Sequence, residues 1–149
     1  MLARIRPLAY LNTKADNAQQ RRIEQIDIIW AAKDATPIWA FEIEEHTSIL
    51  SALERFVALL SVNPEIGRLR QLTIVVPKAR RQKVYQELTS SSYIGHPQYI
   101  DNKINYIYYD ELERFFNKFS ARRGIKLEDV HRICHLPPQA DEYKPRRLF

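Results

Sequence analysis

Residues 22–44, RIEQIDIIWAAKDATPIWAFEIE, decide the fold, because two runs of β-branched and aromatic residues stand on either side of a turn. Arg22–Trp30 changes from polar to β-branched and aromatic residues, and Ile38–Glu44 is an apolar run that ends in two acids separated by Ile43. The intervening segment 34–37, DATP, has turn chemistry. The pattern predicts a β-hairpin of two antiparallel strands, with Asp27 inside the first.

A helical pattern follows the hairpin. Thr47 or Ser48 can cap this helix, because a hydroxyl there accepts from backbone N–H groups that the first turn leaves unpaired. Apolar residues then recur at helical spacing, and the helix should end near residues 63–64, Asn-Pro. The apolar run Leu72–Val76, closed by Pro77, predicts a buried strand that is reached through a crossover and is therefore parallel, with neighbours on both faces.

The rest of the pattern predicts two further helices with a strand between them. Ala79–Leu88 predicts a helix with Val84 and Leu88 facing inward, and Ile104–Tyr109 predicts a strand. Asp110 can cap the next helix. One face of that helix carries four apolar side chains: Leu112, Phe115, Phe116 and Phe119. The fold class is therefore α/β, with a central mixed β-sheet flanked by helices.

The charge of the chain is unevenly distributed. The net charge is +5, and residues 1–22 carry five basic and one acidic side chain, residues 121–149 seven and four. Basic ends attract polyanions, whereas the slightly acidic centre repels phosphate unless a cation lies between them. This distribution suits a metal-dependent enzyme that acts on nucleic acid, although +5 is also common among proteins of this length.

The cysteine count and the hydropathy pattern indicate the compartment. Cys134 is the single cysteine, so the chain cannot form an internal disulfide. No apolar run approaches the roughly 20 residues that span a bilayer, and Met1–Tyr10 lacks the features of a secretory signal. We therefore expect a cytoplasmic protein without membrane contact. The 8 Tyr and 6 Phe suit a core or the interface of a homodimer.

Three acids form the candidate site. Successive strand residues point to opposite faces, so Glu42 and Glu44 share one face and Phe41 and Ile43 the other. In a hairpin, Asp27 on the neighbouring strand can complete a cluster of three carboxylates, which raise one another's pKa unless a cation separates them. Hard carboxylate oxygens select Mg²⁺ or Mn²⁺, whereas strand carboxylates can also be solvated or paired with Arg and Lys.

These motifs resemble a known family. The segments IEQIDIIW, AFEIE, HTSILSALERF and LTIVVPKARRQKVYQEL resemble a bacterial branch of the PD-(D/E)XK (restriction-endonuclease-like) superfamily, over roughly residues 22 to 110. The resemblance implies a restriction-endonuclease-like core with Asp27 as the motif aspartate and Glu42 as the first acid. Glu44 then occupies the position of the motif lysine, so it becomes an additional metal ligand or a carboxylate base.

The front of the chain departs from that pattern. The superfamily core begins with a helix and a strand, and the 21 residues before Arg22 are short for both. Either residues Leu2–Tyr10 supply an abbreviated version or the chain is part of something longer. We assign residues 1–124 to the nuclease-like domain, its first helix and strand abbreviated or incomplete. Residues 125–149 form a short helix and a basic tail that includes 137–138, Pro-Pro.

Further residues are candidates for contact with nucleic acid. Strand alternation places Gln25 on the face of Asp27, where it could orient water or phosphate, although an ordinary strand residue is the alternative. Basic side chains that could grip phosphates are Arg55, Lys78, Arg80 and Arg81, and a solvated helix face explains the last three equally well. His46 is interpreted as a loop residue, and His131, Cys134 and His135 as a half-buried helix end.

Two functions follow, and they share one scaffold. The first is a Mg²⁺-dependent nuclease domain from a restriction or other defence system, with DNA favoured over RNA as substrate. The second is a catalytically inactive member of the same fold that binds nucleic acid or a partner protein. The three acids favour the enzyme, whereas the missing lysine and the short front favour the inactive module. A purely structural interaction module leaves the acids unexplained.

Overall fold

The computed structural model describes residues 17–46, 48–88, 103–119 and 124–135. Within these ranges, four strands form one sheet and helices lie against it. In chain order the elements are α1 Asn17–Glu24, β1 Ile28–Ala31, β2 Pro37–Ile43, α2 Ile49–Val62, α3 Pro64–Arg68, β3 Leu72–Val76, a 3₁₀ turn Lys78–Arg80, α4 Arg81–Leu88, β4 Ile104–Tyr108, α5 Tyr109–Phe119 and α6 Leu127–Ile133.

The sheet has the order β1-β2-β3-β4 and is mixed. β1 and β2 pair antiparallel, with Ile28 opposite Phe41 and Trp30 opposite Trp39, so the predicted hairpin is confirmed. β2 is parallel to β3, and β3 is parallel to β4. The parallel placement predicted for Leu72–Val76 is therefore confirmed as well. An α/β domain with a mixed sheet flanked by helices is consistent with the restriction-endonuclease-like core.

The beginning of the hairpin differs from the prediction. Residues 22–24 belong to α1, so the strand predicted from Arg22 begins only at Ile28, and Asp27 lies just before it. Ile23 and Ile26 are both buried, and their spacing of three places them on the same side of a helix and its following turn. The residues of α1, NAQQRRIE, also include good helix formers, and this local preference prevails over the strand-like apolar run.

Hydrophobic clusters cover both faces of the sheet. One cluster packs α1 and α2 on the sheet and includes Ile23, Leu53 and Phe56. The second, on the other face, includes Trp39 and Phe41 of β2. All five residues of β3 are buried, as predicted for a strand with neighbours on both faces.

The predicted helices are found with changes at their ends. Ser48 is the N-cap residue of α2, but its hydroxyl makes no capping hydrogen bond, and α2 ends at Val62 as predicted; Thr47 lies outside the described residues. α5 begins at Tyr109, so Asp110 lies in its first turn and the predicted cap is wrong. Phe115 is buried as expected, whereas Phe116 is 45% exposed, because it lies one helical step away from the packed face.

The second half of the chain follows the remaining predictions in part. Val84 of α4 is buried, and the side chain of Leu88 lies outside the described part. α6 packs on the sheet through Val130, and His135 pairs with Tyr106 of β4 in an antiparallel bridge. Residues 1–16 and 136–149, which include the predicted abbreviated front and the basic tail, lie outside the described ranges. No described helix is long and apolar enough to cross a membrane.

Candidate active site

The carboxyl ends of three parallel strands meet at one edge of the sheet. Ile43 lies opposite Val75, and Val75 lies opposite Ile107, so β2, β3 and β4 end side by side. Glu44 continues from β2 and donates its backbone N–H to the Val75 carbonyl at 2.9 Å. Open α/β sheets bind ligands outside the carboxyl ends of their strands. We call this region the carboxyl edge.

Glu42 and Glu44 lie at this edge on one face of β2. Both side chains contact Arg55 of α2, which confirms that they share a face. Both residues are completely buried. Asp27 is exposed, and its Oδ2 accepts a hydrogen bond from the Ile43 N–H at 2.7 Å, which holds this carboxylate beside the end of β2. The structure therefore brings all three predicted acids to the same edge.

Arg55 lies between the two glutamates. Its Nε donates to Glu42 Oε1 at 2.6 Å and its Nη2 to Glu42 Oε2 at 2.8 Å, while Nη2 also reaches Glu44 Oε1 at 3.3 Å. The pairing with arginine is one of the two alternatives that the sequence left open for these acids. Among the described residues, no three Asp, Glu, His or Cys side chains stand close enough together to hold a metal ion.

The electrostatics of Glu42 show how unfavourable a buried charge is at this edge. The pKa of Glu42 is raised from 4.5 to about 7, mainly by burial; Arg55 opposes this rise, and the nearby carboxylate of Asp27 adds to it. Hydrogen bonding to Glu42 in turn raises the pKa of Arg55. The Glu42 carboxyl group therefore binds a proton or a cation more readily than a carboxylate in water.

The donor atoms suit a divalent metal ion. Asp27, Glu42 and Glu44 offer only carboxylate oxygens, the ligands that Mg²⁺ and Mn²⁺ prefer. The guanidinium of Arg55 lies where a cation would neutralise Glu42 and Glu44, so it stands in for that cation. The donor atoms fit a divalent ion in chemistry, and Arg55 would have to leave the Glu42 carboxylate before an ion could bind there.

The predicted basic residues follow β3 at the same edge. Arg80 Nη1 donates to the Glu44 carbonyl at 3.0 Å, which ties the 3₁₀ turn to the end of β2. Lys78 and Arg81 are exposed on either side of Arg80. Gln25, in contrast, lies in the turn after α1, so the strand alternation that placed it on the face of Asp27 is wrong.

Tyr109 is a polar residue of this region that the sequence analysis missed. Its hydroxyl is buried and has no hydrogen-bond partner among the described residues. Burial raises the pKa of Tyr109, and the carboxylates of Glu45, Glu44 and Asp27 raise it further, so the hydroxyl senses the charge of the carboxyl edge. Its position directly after a strand parallel to β3 is the signal that could have identified it.

The histidine and cysteine side chains make separate contacts. His46 is exposed in the loop after β2, as interpreted. The ring of His131 packs on Trp39 at 4.6 Å between centroids, and Cys134 Sγ donates to the Val130 carbonyl at 3.2 Å. His135 Nε2 lies 2.7 Å from Glu111 Oε2. The three residues are half-buried at a helix end, which confirms that interpretation.

The fold and the carboxyl edge define an α/β domain that collects acidic and basic side chains where such sheets bind ligands. The family model described as the type II restriction enzyme NmeDI C-terminal domain matches residues 4–134 of the sequence. The chain therefore belongs to this restriction-enzyme domain family. No match was found among curated proteins or among solved structures.

Proposed function

We propose that this domain is a metal-dependent nuclease of the PD-(D/E)XK type that hydrolyses phosphodiester bonds of DNA in a restriction or other defence system. One observation carries the proposal: two completely buried carboxylates, Glu42 and Glu44, meet Asp27 at the carboxyl edge. Buried acids that serve only the fold are uncommon, because each has to be neutralised. Membership of a type II restriction enzyme domain family supports DNA as the substrate.

The residues take distinct roles under this proposal. Asp27, Glu42 and Glu44 would hold Mg²⁺ or Mn²⁺, which when bound polarises the phosphodiester and lowers the pKa of water. Glu44 replaces the lysine of the family motif, so it contributes a carboxylate as ligand or base instead of a positive charge. Lys78 and Arg81 are exposed beside the edge and bind backbone phosphates, which positions the duplex without reading its sequence.

The test uses substitutions that keep the shape of the acids. Asp27→Asn and Glu42→Gln should lower nicking of supercoiled plasmid by roughly a hundredfold or more, because lost charge stabilisation amounts to several kcal/mol. Glu65→Gln is the matched control, since Glu65 also pairs with an arginine but lies on the surface of α3. Thermal unfolding of all three variants shows whether they remain folded.

The outcomes distinguish acids of an active site from acids that only stabilise the fold. Variants that cut at the wild-type rate would show that these acids are not the active site, and variants that unfold would make them structural partners. Cutting that continues in chelator would remove the metal from the mechanism. Sedimentation with and without duplex DNA tests the homodimer that cleavage of both strands would use.

The second candidate is a catalytically inactive module of the same fold that binds nucleic acid or a partner protein. Arg55 favours it, because a bidentate pair neutralises Glu42 without any metal ion. This candidate predicts a wild-type protein that binds duplex DNA or a partner but cuts no nucleic acid. Its melting temperature should also ignore Mg²⁺ and Mn²⁺, whereas ligands of the folded state raise it in the enzyme.

A further inference from the structure

Arg55 blocks the oxygens that a metal ion would need. It uses two nitrogens for the two oxygens of Glu42, and one of these also reaches Glu44. The Arg55 side chain is 18% exposed, whereas that of Glu42 is fully buried. The Arg55 side chain is therefore more accessible to solvent than the carboxylate that it holds.

Two cations cannot share these oxygens without a large penalty. A divalent ion on Glu42 and a guanidinium bonded to the same oxygens would stand within a few ångströms of each other and repel strongly in a poorly solvated site. The ion can therefore bind Glu42 only when Arg55 moves away. The Arg55 side chain is partly exposed, so it can move toward the solvent, where a substrate would arrive.

We propose that Arg55 is a built-in competitor of the divalent ion, and that a phosphate of the nucleic acid draws it off Glu42 so that substrate and ion bind cooperatively. This inference rests on the proposed function. A guanidinium binds phosphate in the same bidentate manner as carboxylate, so the exchange replaces one good partner by another. Coupling between two ligands is reciprocal, so the ion should strengthen DNA binding by the same factor.

Arg80 and its basic neighbours can attract a phosphate of the substrate to the carboxyl edge. Its guanidinium is tied to the Glu44 carbonyl, and exposed Lys78 and Arg81 flank it. A backbone phosphate attracted by these charges arrives at the carboxyl edge, next to the acids that Arg55 contacts. Arg55 and Arg80 both contact Glu44, so a phosphate that binds beside Arg80 would arrive close to Arg55.

The first measurement is Mn²⁺ affinity without DNA, by calorimetry and by electron paramagnetic resonance of the free ion. Arg55→Gln removes the positive charge and should bind Mn²⁺ about tenfold or more tightly than wild type. Arg68→Gln is the matched control, because Arg68 forms the same kind of pair with Glu65 on the surface, and it should match wild type. Equal affinity in wild type and Arg55→Gln overturns the inference.

The second measurement repeats the Mn²⁺ titration with a short phosphorothioate duplex that resists cleavage. The duplex should raise the affinity of wild type about tenfold, and it should raise that of Arg55→Gln much less, because no arginine remains to be displaced. An equal gain in both proteins contradicts the role of Arg55. Circular dichroism in chelator checks folding, and if Arg55→Gln unfolds, Arg55→Lys carries the test with an affinity above that of wild type.

These outcomes also separate this inference from the proposed function. Wild type and Arg55→Gln that bind Mn²⁺ equally well remove the competition but leave a metal-dependent nuclease. If neither protein binds Mn²⁺, with or without the duplex, the metal-dependent nuclease itself is wrong. Binding by Arg55→Gln alone without the duplex, together with binding by wild type once the duplex is present, supports the inference in its strongest form.

Discussion

Two arginine–glutamate pairs in this chain have nearly the same bonding but opposite electrostatics. Arg55 holds Glu42 at the carboxyl edge with two hydrogen bonds, and Arg68 holds Glu65 on α3 with two as well. The side chains of the first pair are 18% and 0% exposed, those of the second 76% and 52%. Burial raises the pKa of Glu42, whereas the hydrogen bond from Arg68 lowers the pKa of Glu65.

The difference shows that the surroundings, and not the partner, decide whether a carboxylate favours its charge. Glu65 keeps its water and gains a cation, so its ionised form is favoured. Glu42 has lost its water, and one arginine does not fully replace it. A buried pair of this kind adds little to stability as a whole, but removal of one partner is strongly unfavourable.

Removal of the arginine should give the largest difference in the free energy of unfolding between the two pairs. Arg55→Ala leaves Glu42 buried without a counterion and should lower the free energy of unfolding by about 3–5 kcal/mol at alkaline pH. Arg68→Ala should leave it unchanged within error, because exposed pairs contribute little. Urea unfolding of both variants in chelator measures the difference. Similar losses in the two variants would show that burial does not distinguish the pairs.

The pH dependence of stability should give the second-largest difference, between Glu42 and Glu65. Folding raises the pKa of Glu42 from 4.5 to about 7, so between these values the folded chain holds a proton that the unfolded chain has released. The stability contributed by this group is complete at low pH, falls by about 3 kcal/mol as pH rises through this window, and is constant above it.

Glu42→Gln tests that contribution without a change of shape. Urea unfolding in chelator at several pH values between about 5 and 8 should give a wild-type stability that declines relative to the variant. Glu65→Gln is the control, because the pKa of Glu65 is lowered and its contribution is lost only as pH falls below this range. A constant difference between wild type and Glu42→Gln across the range contradicts a raised pKa.

Among the buried groups, Tyr109 should give the smallest change in stability. It tests the cost of burying a polar group that carries no charge. Its buried hydroxyl lacks a partner within the described ranges, so Tyr109→Phe should raise the free energy of unfolding by about 1 kcal/mol. Plasmid nicking should stay near the wild-type rate, because a buried hydroxyl does not contact water or phosphate at the edge. Thermal unfolding and nicking measure the two effects, and a less stable variant would mean that the hydroxyl has a partner.

Local periodicity explains what the sequence could predict. The two-residue spacing of Glu42 and Glu44 was enough to place them on one face, because a strand has a fixed period of two. The start of β1 was misjudged, since the spacing of Ile23 and Ile26 suits a helix and its following turn while their β-branched type suits a strand. The strand-based position of Gln25 failed for the same reason.

Tertiary packing explains which contacts of the site the sequence could not predict. Arg55 reaches Glu42 only because α2 crosses that face of β2, and no pattern within either segment specifies this contact. The sequence could therefore name Arg55 as a candidate for contact with phosphate, but it could not identify Glu42 as its partner. Tyr109 could have been located from the parallel strands, yet the burial of its hydroxyl depends on how α5 packs.

The bridge between Tyr106 and His135 has a consequence for biosynthesis. β4 is an outer strand of the described sheet, so one of its edges pairs with no other described strand. His135 covers this edge at Tyr106, where the two residues exchange backbone hydrogen bonds of 2.9 and 2.8 Å. An open strand edge invites pairing with other chains. During translation this edge stays open until the ribosome has released His135, well after β4 itself has emerged. Over that interval the open edge can pair with other chains, so it exposes the nascent chain to aggregation.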